Sequence, residues 1–430
     1  MDNLILRFPH LLEQTFRKLN NESLFKSRKV ARSWKYFINE RNYQWLCVVN
    51  IPKLLQKSNT YLHLAAETGQ IDAFETALSE EEDKNIKNIF RETVFHMACK
   101  NGQVKIAEFL LRNTYLNIDI NALDENCSTG FSLACQEGHS NIVKVLVESS
   151  VAFDTDCIIN VFTKVSPFIL ACQRGHTNVA KVLIENFVTL DIDLNARDKG
   201  NLTAVMWACW EGNSDLIKII LENAACFDFN LKDNRGWTCF QRACDKGNFN
   251  VAKILVDNSA TLSIDLNTKD NSGQTALHLA CKWGHSDLVK MFIENSTTLR
   301  IDLDTKDDEG QTPFYLACRW GHFDVVKMLI MSSTTSGIDL NTRYKGGQTG
   351  FHLSCRHGHV QTVKTFTDNS LNLNIDLNIK DHEGHTALYL ACKWSHFNLV
   401  KMLIGNSATL AIDLNIKDNS GQTTLHLASK

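Results

Sequence analysis

The chain has 430 residues, a 44% hydrophobic share and a formal net charge of −3. That charge excludes a bulk electrostatic affinity for nucleic acid or anionic membrane, and no run approaches the roughly 18 apolar residues of a membrane-spanning helix. One compact core is excluded too, because chains beyond about 250–300 residues normally divide. The opening Met1, Asp2 and Asn3 do not begin a basic stretch leading into an apolar one. No secretory signal is therefore expected, and the protein is placed in the cytoplasm or the nucleus.

Residues 1–57 do not share the pattern of the rest. Leu11 or Leu12, Phe16 and Leu19 fall at helical spacing after Pro9, which suits a first turn. Ser23 can cap a second short helix carrying Leu24 and Phe25. Val30, Trp34 and Phe37 share one face of a third, and Trp45 follows. The ordered series Pro9, Leu12, Phe16, Leu19, Ser23, Leu24, Val30 and Trp34 resembles an F-box. It departs from the usual outline at Phe8, in place of Leu, and at Ala31, in place of Cys. The resemblance implies a three-helix module whose Pro9, Leu11, Leu12, Phe16, Leu19, Leu24, Val30 and Trp34 bind the SCF linker protein, and through it the cullin complex. The plainer alternative is a helical cap over the first repeat, which solenoid ends require. The basic cluster Arg28, Lys29, Arg32 and Lys35 is read as a solvated helix face.

From residue 58 onward one motif recurs. Thr238, Thr275, Thr312, Thr349, Thr386 and Thr423 are each 37 residues apart, and Thr60, Thr93, Thr129, Ser166 and Thr203 fill the same slot upstream. A fixed period of this size signals a solenoid, here of about eleven units. Each unit reads as turn, helix, tight turn, helix and connection. In the unit at 270, Gly273 serves the turn, Thr275 caps a first helix, and Gly284 ends it. Leu277, Ala280 and Cys281 point inward, and the second helix carries Leu288, Val289, Phe292 and Ile293.

The stretch from Gly273 to Ala280, followed by Gly284, His285, Val289 and Lys290, strongly resembles the ankyrin repeat. The expected fold is therefore all-α: a small F-box-like module over 1–57, then an ankyrin solenoid over 58–430 whose last copy is incomplete. Ankyrin repeats have a period of about 33, so most units carry four extra residues, as in Asn258 to Asn267. Leu262, Ile264 and Leu266 alternate apolar with polar there, which fits either a lengthened second helix or an extended finger. Phe153 to Val165 lacks the turn glycine and reads as a degenerate junction, while Gly200 shifts the glycine by one position. The final copy stops inside its first helix, so either a frayed end or a longer protein is expected.

Nine of the fourteen cysteines (Cys99, Cys135, Cys172, Cys209, Cys244, Cys281, Cys318, Cys355 and Cys392) occupy one repeat slot. Equivalent atoms on stacked helices lie about 8–10 Å apart, beyond the roughly 7 Å a disulfide tolerates. They are expected as small buried apolar residues. The histidines are locked to the repeat as well: His63, His96, His278, His352 and His426 in first helices, and His139, His176, His285, His322, His359 and His396 before second helices. Hydrogen bonds between neighbouring turns are their expected role, not metal ligation. No phosphate-cradling or nucleophile motif appears, so neither enzyme nor cofactor is expected.

The pair directly after the repeated Cys is the informative variable. Later units read Lys282 and Trp283, Arg319 and Trp320, Arg356 and His357, and Lys393 and Trp394, while an earlier unit places Trp210 there. The ankyrin resemblance implies that this slot lines the concave face that grips partners. Trp and Arg are the types most enriched at binding hot spots, and rings beside cations suit an extended acidic segment of a protein target. The expected function is a protein-interaction adaptor, a substrate receptor of an SCF-type ubiquitin ligase. The alternative is a non-degradative scaffold whose N-terminal helices only cap the stack.

Overall fold

A computed structural model describes residues 59–149 and 165–428. The F-box-like segment and most of the junction at Phe153 to Val165 lie outside the described residues. The chain divides into two compact units, residues 1–199 and 200–430. In the first, helix pairs are α1 (Tyr61–Thr68) with α2 (Ile71–Glu80), α3 (Val94–Lys100) with α4 (Val104–Arg112), α5 (Gly130–Glu137) with α6 (Ser140–Glu148), and α7 (Pro167–Gln173) with α8 (Thr177–Glu185). The second holds α9 (Ala204–Glu211) with α10 (Ser214–Glu222), α11 (Cys239–Lys246) with α12 (Phe249–Asp257), and α13 (Ala276–Trp283) with α14 (Ser286–Asn295). It continues with α15 (Pro313–Trp320) and α16 (Phe323–Ser336), α17 (Gly350–Arg356) and α18 (Val360–Asn369), α19 (Ala387–Lys393) and α20 (Phe397–Gly405), and α21 (Thr424–Ala428). Within each unit first helices stack on first helices and second on second. Among the described residues there is no strand, and no helix is long and apolar enough to cross a membrane.

The repeated Thr, or Ser166 in its place, starts the first helices in extended backbone, as at Thr93, Thr238 and Thr275. Three residues on, the histidine closes a box around it. The Thr275 N–H donates to His278 Nδ1 at 3.1 Å, and the Thr275 hydroxyl pairs with the same nitrogen at 2.9 Å. A backbone N–H can only donate, so Nδ1 is bare and the ring proton sits on Nε2. Nε2 then donates to the Gln311 carbonyl of the next repeat at 3.1 Å. His63, His96 and His352 repeat the arrangement, reaching the carbonyls of Glu92, Ser128 and His385. Burial pushes all four below the ordinary histidine value, His63 to about 4.

The second set of histidines makes the complementary link. Each precedes a second helix, and its Nε2 bonds to a carbonyl at the end of the first helix of the repeat before: His139 to Lys100, His176 to Gln136, His285 to Asp245, His322 to Lys282, His359 to Arg319 and His396 to Arg356, all at 2.9–3.1 Å. The expected bonding between neighbouring turns is therefore found. Gln103 and Asn248 do the same job with side-chain amides. This contact also explains the C-cap glycines. Gly284 ends α13 at φ 75°, and a Cβ there would stand 2.4 Å from His322 Nδ1. Glycine is needed both for its left-handed backbone and for the ring pressed against it.

The four extra residues form an added turn on the second helix, so the finger alternative is not the one adopted. After α12, Leu262 N–H bonds to the Asn258 carbonyl and Ile264 N–H to that of Ser259, with Ser263 left-handed at φ 52°. Arg300, Asn374 and Ala411 take the same conformation in later copies. Ile264 and Leu266 turn under the added turn and are buried. In the 313 unit the second helix simply runs on to Ser336 and ends at Gly337. The shifted glycine at 200 is explained as well, because Asn201 takes the left-handed position at φ 58°.

Inside, Ala276, Leu277, Leu279, Ala280 and Cys281 are buried, with Leu288, Val289, Met291 and Phe292 below them. Ile293 is only partly covered, and Met291 takes its place in the core. Eight of the nine slot cysteines are buried free thiols, with Cys392 half-buried. Burial drives those eight thiols well above their ordinary range, leaving them as packing groups.

Candidate partner-binding face

The slot after the repeated Cys lies at the C-terminal end of each first helix, where the chain leaves the buried stripe and faces solvent. Trp283 and Trp320 are 54% exposed and Trp394 is 51% exposed. Large aromatic rings left half in water need a reason, since each could contribute about 1.5–3 kcal/mol on full burial. Every ring carries a cation. Lys282 Nζ is 5.5 Å from the Trp283 ring centroid, the Arg319 guanidinium 5.9 Å from Trp320, and that of Arg356 5.5 Å from Trp394. The last contact crosses from one repeat to the next, so α17 and α19 share one site. Lys393 is exposed beside Trp394.

His357 occupies the ring slot of its repeat and stacks on His359 at 5.8 Å. Burial, and then the neighbouring His359 and Arg356, push His357 below its ordinary range. The slot therefore holds a neutral ring at physiological pH, and the positive charge rests on Lys282, Arg319, Arg356 and Lys393. Among the indoles, Trp283 Nε1 donates to Asp245 Oδ1 at 2.9 Å.

Trp210 sits in the same slot but in other surroundings. It is half-buried, stacked on Trp207 at 5.3 Å and 15°, with the Arg242 guanidinium 4.2 Å from its centroid. Arg242 also lies 4.7 Å from Trp237 and is ion-paired with the buried Asp233. Arg242 replaces the apolar residue that Leu279 supplies at the next copy, and the tryptophans shield its charge. Sequence spacing did not reveal this cluster, because its members come from two adjacent repeats. The only signal was a charged residue at an inward-facing position. Of the expected face, the structure thus brings Lys282, Trp283, Arg319, Trp320, Arg356, His357, Lys393 and Trp394 into one recurring slot, and sets Trp210 in a packed cluster. Pro9, Leu11, Leu12, Phe16, Leu19, Leu24, Val30 and Trp34 lie outside the described residues.

In the first unit the equivalent slot is polar: Lys100, Gln136 and Glu137, and Gln173. These border an open cavity of about 860 Å³, with Glu92, Asp124 and Glu125 among its walls. Lys100 is already paired with Glu92 at 2.7 Å. No group of side chains among the described residues is arranged to hold a metal ion.

Comparison with solved structures finds the ankyrin repeat domain of Bcl-3, titled a unique member of the IkappaB protein family. It is 20% identical, with a TM-score of 0.46, and the match covers 56% of this chain and 99% of that one. The family described as ankyrin repeats (3 copies) matches residues 62–157, 131–233, 168–270, 223–307, 259–344 and 351–430. With the repeated caps and inter-repeat histidines already in place over the same span, the chain belongs to the ankyrin-repeat family.

Proposed function

We propose that this protein is a substrate receptor of an SCF-type ubiquitin ligase, in which the ankyrin array selects the target and residues 1–57 recruit the ligase. Ankyrin repeats are protein–protein interaction modules, and that much follows from the family. The observation that supports target selection is the row of half-exposed tryptophans, each with a cation at its face, in a slot the fold does not need to fill that way. Such a surface suits an acidic, extended segment of another protein. Recruitment rests on the F-box-like order of Pro9, Leu12, Phe16, Leu19, Val30 and Trp34. The receptor performs no chemistry. It raises the effective concentration of target lysines near the ubiquitin carrier.

Three experiments test the reading. Co-expressed SCF linker protein is expected to co-purify with the full chain and to be lost on deleting residues 1–57; unchanged co-purification removes the ligase role. Leu12→Asp with Phe16→Asp separates the scaffold alternative, which expects the array itself to lose stability. For the target face, a twelve-residue Gly-Glu-Glu repeat peptide is expected to bind. Changing Lys282, Arg319 and Lys393 together to Glu should weaken that binding by about tenfold or more. Equal binding by wild type and the triple variant sinks the acidic-partner reading.

A further inference from the structure

Resting on that reading of the face, we infer that the occupant is an acidic segment in the polyproline II conformation, with prolines set to the tryptophan register. Three observations carry this. First, successive slots are one first helix apart, and packed helices are separated by about 8–10 Å. A polyproline II chain returns the same face every three residues, at 3.1 Å per residue or about 9.3 Å per turn. A β-strand alternates faces every residue, so the residue three positions on, at about 10 Å, points away, and the nearest same-face residue, two positions on, stands only about 6.6 Å off. An α-helix matches only at seven-residue intervals, and would need about twenty-two residues to pass four slots.

Second, the free donors suit a backbone without internal hydrogen bonds. Trp283 Nε1 is held by Asp245, but the indole N–H groups of Trp320 and Trp394 have no hydrogen-bond partner among the described residues, and both rings are half exposed. A polyproline II chain presents every carbonyl to such donors, and proline rings lie flat on indole faces. Third, the row has a gap that sets a register. Rings stand at 283, 320 and 394, with His357 in the third slot. Prolines are therefore called for at positions 1, 4 and 10 of the segment, or 1, 7 and 10 if the chain runs the other way, with acidic residues between them facing Lys282, Arg319, Arg356 and Lys393.

The test uses the full chain and four fluorescent twelve-residue peptides of equal charge. Two carry Pro in the two registers with Glu elsewhere, one replaces each Pro by Gly, and one replaces each Pro by Ala to favour a helix. One Pro register is expected to bind at least tenfold more tightly than the Gly peptide. Trp320→Ala is expected to erase most of that difference while leaving Gly-peptide binding within about twofold. Equal binding of the Pro and Gly peptides overturns the polyproline II assignment and leaves the acidic-partner reading standing. Tightest binding by the Ala peptide replaces it with a helical occupant. Binding by none of the four overturns both readings. Circular dichroism and thermal melting of Trp320→Ala establish that the variant is folded.

Discussion

At the scale of single residues, the copies act as controls for one another, and departures from the pattern isolate physical effects. Asn267 donates through Nδ2 to the Arg300 carbonyl at 3.0 Å and accepts from Asp302 N–H at 3.1 Å. Asn341 and Asn378 form the same rung. Asp304 stands in this slot without a hydrogen to donate, and its Oδ1 is buried without a partner. Burial and the facing carboxylate of Asp339 push its carboxyl up to about 6, with Asp302 adding to the rise, while the hydrogen bond donated by the Asp339 N–H and the charge of Lys306 oppose it. Because the folded-state value is raised above 3.8, the penalty is full above about pH 6 and vanishes as pH falls to about 4. Asp304→Asn is expected to stabilise the protein by about 1 kcal/mol at pH 8, after discounting the shift for solvent screening of a half-buried group. At pH 4.5 the gain should shrink, as denaturant midpoints at the two pH values will show. The buried histidines act in the opposite sense. His63 is depressed from 6.5 to about 4, so its contribution is present above pH 6.5 and is lost as pH falls through that interval. Gln241 already fills this position in one repeat, accepting from Thr238 N–H at 2.9 Å and donating to the Gln274 carbonyl at 3.0 Å. His278→Gln should keep stability at pH 7 and flatten the acid-side loss, measured as the slope of unfolding free energy between pH 4 and 6.5.

At the scale of the helix pair, what could be read in advance was what each element must do for itself. Caps announce themselves: Thr275, His278 and Gly284 have side-chain and backbone requirements visible in any single copy. The four-residue addition was not legible, since Leu262, Ile264 and Leu266 suit a strand as well as a helical turn. The outcome was settled by burial of Ile264 and Leu266 beneath the turn, a tertiary effect. The Arg242 cluster escaped for the same reason, since its charge is balanced by Asp233 and its faces are covered by rings from elsewhere in the sequence. α18 contains a local defect of this kind. Thr362 is 1% exposed, its Oγ1 has no hydrogen-bond partner, and Val325 and Leu399 hold the same position in neighbouring copies. Thr362→Val conserves shape and removes an unsatisfied hydroxyl, so a gain of about 1–2 kcal/mol is expected in chemical denaturation. No gain would mean that the hydroxyl finds water.

At the scale of the molecule, each unit is held by contacts between adjacent copies, so stability is a chain of neighbour terms. Phe366 links two of them, with Phe314 at 5.7 Å and Phe351 at 5.4 Å. Phe366→Ala should cost about 3–5 kcal/mol locally. Hydrogen exchange is expected to accelerate most between residues 313 and 405 and to fade with distance from the change. Uniform acceleration across residues 200–428 would instead show that this unit melts as one block.

The histidine links bear on how such a surface can change over time. His322, His359 and His396 clasp the main-chain oxygens of Lys282, Arg319 and Arg356, the very residues whose side chains line the partner face. Anchoring through the peptide group is indifferent to what hangs from the α-carbon. Lineages are therefore free to rewrite the recognition code at these positions while the scaffold beneath stays put, and laboratory libraries randomised there should yield mostly well-folded clones.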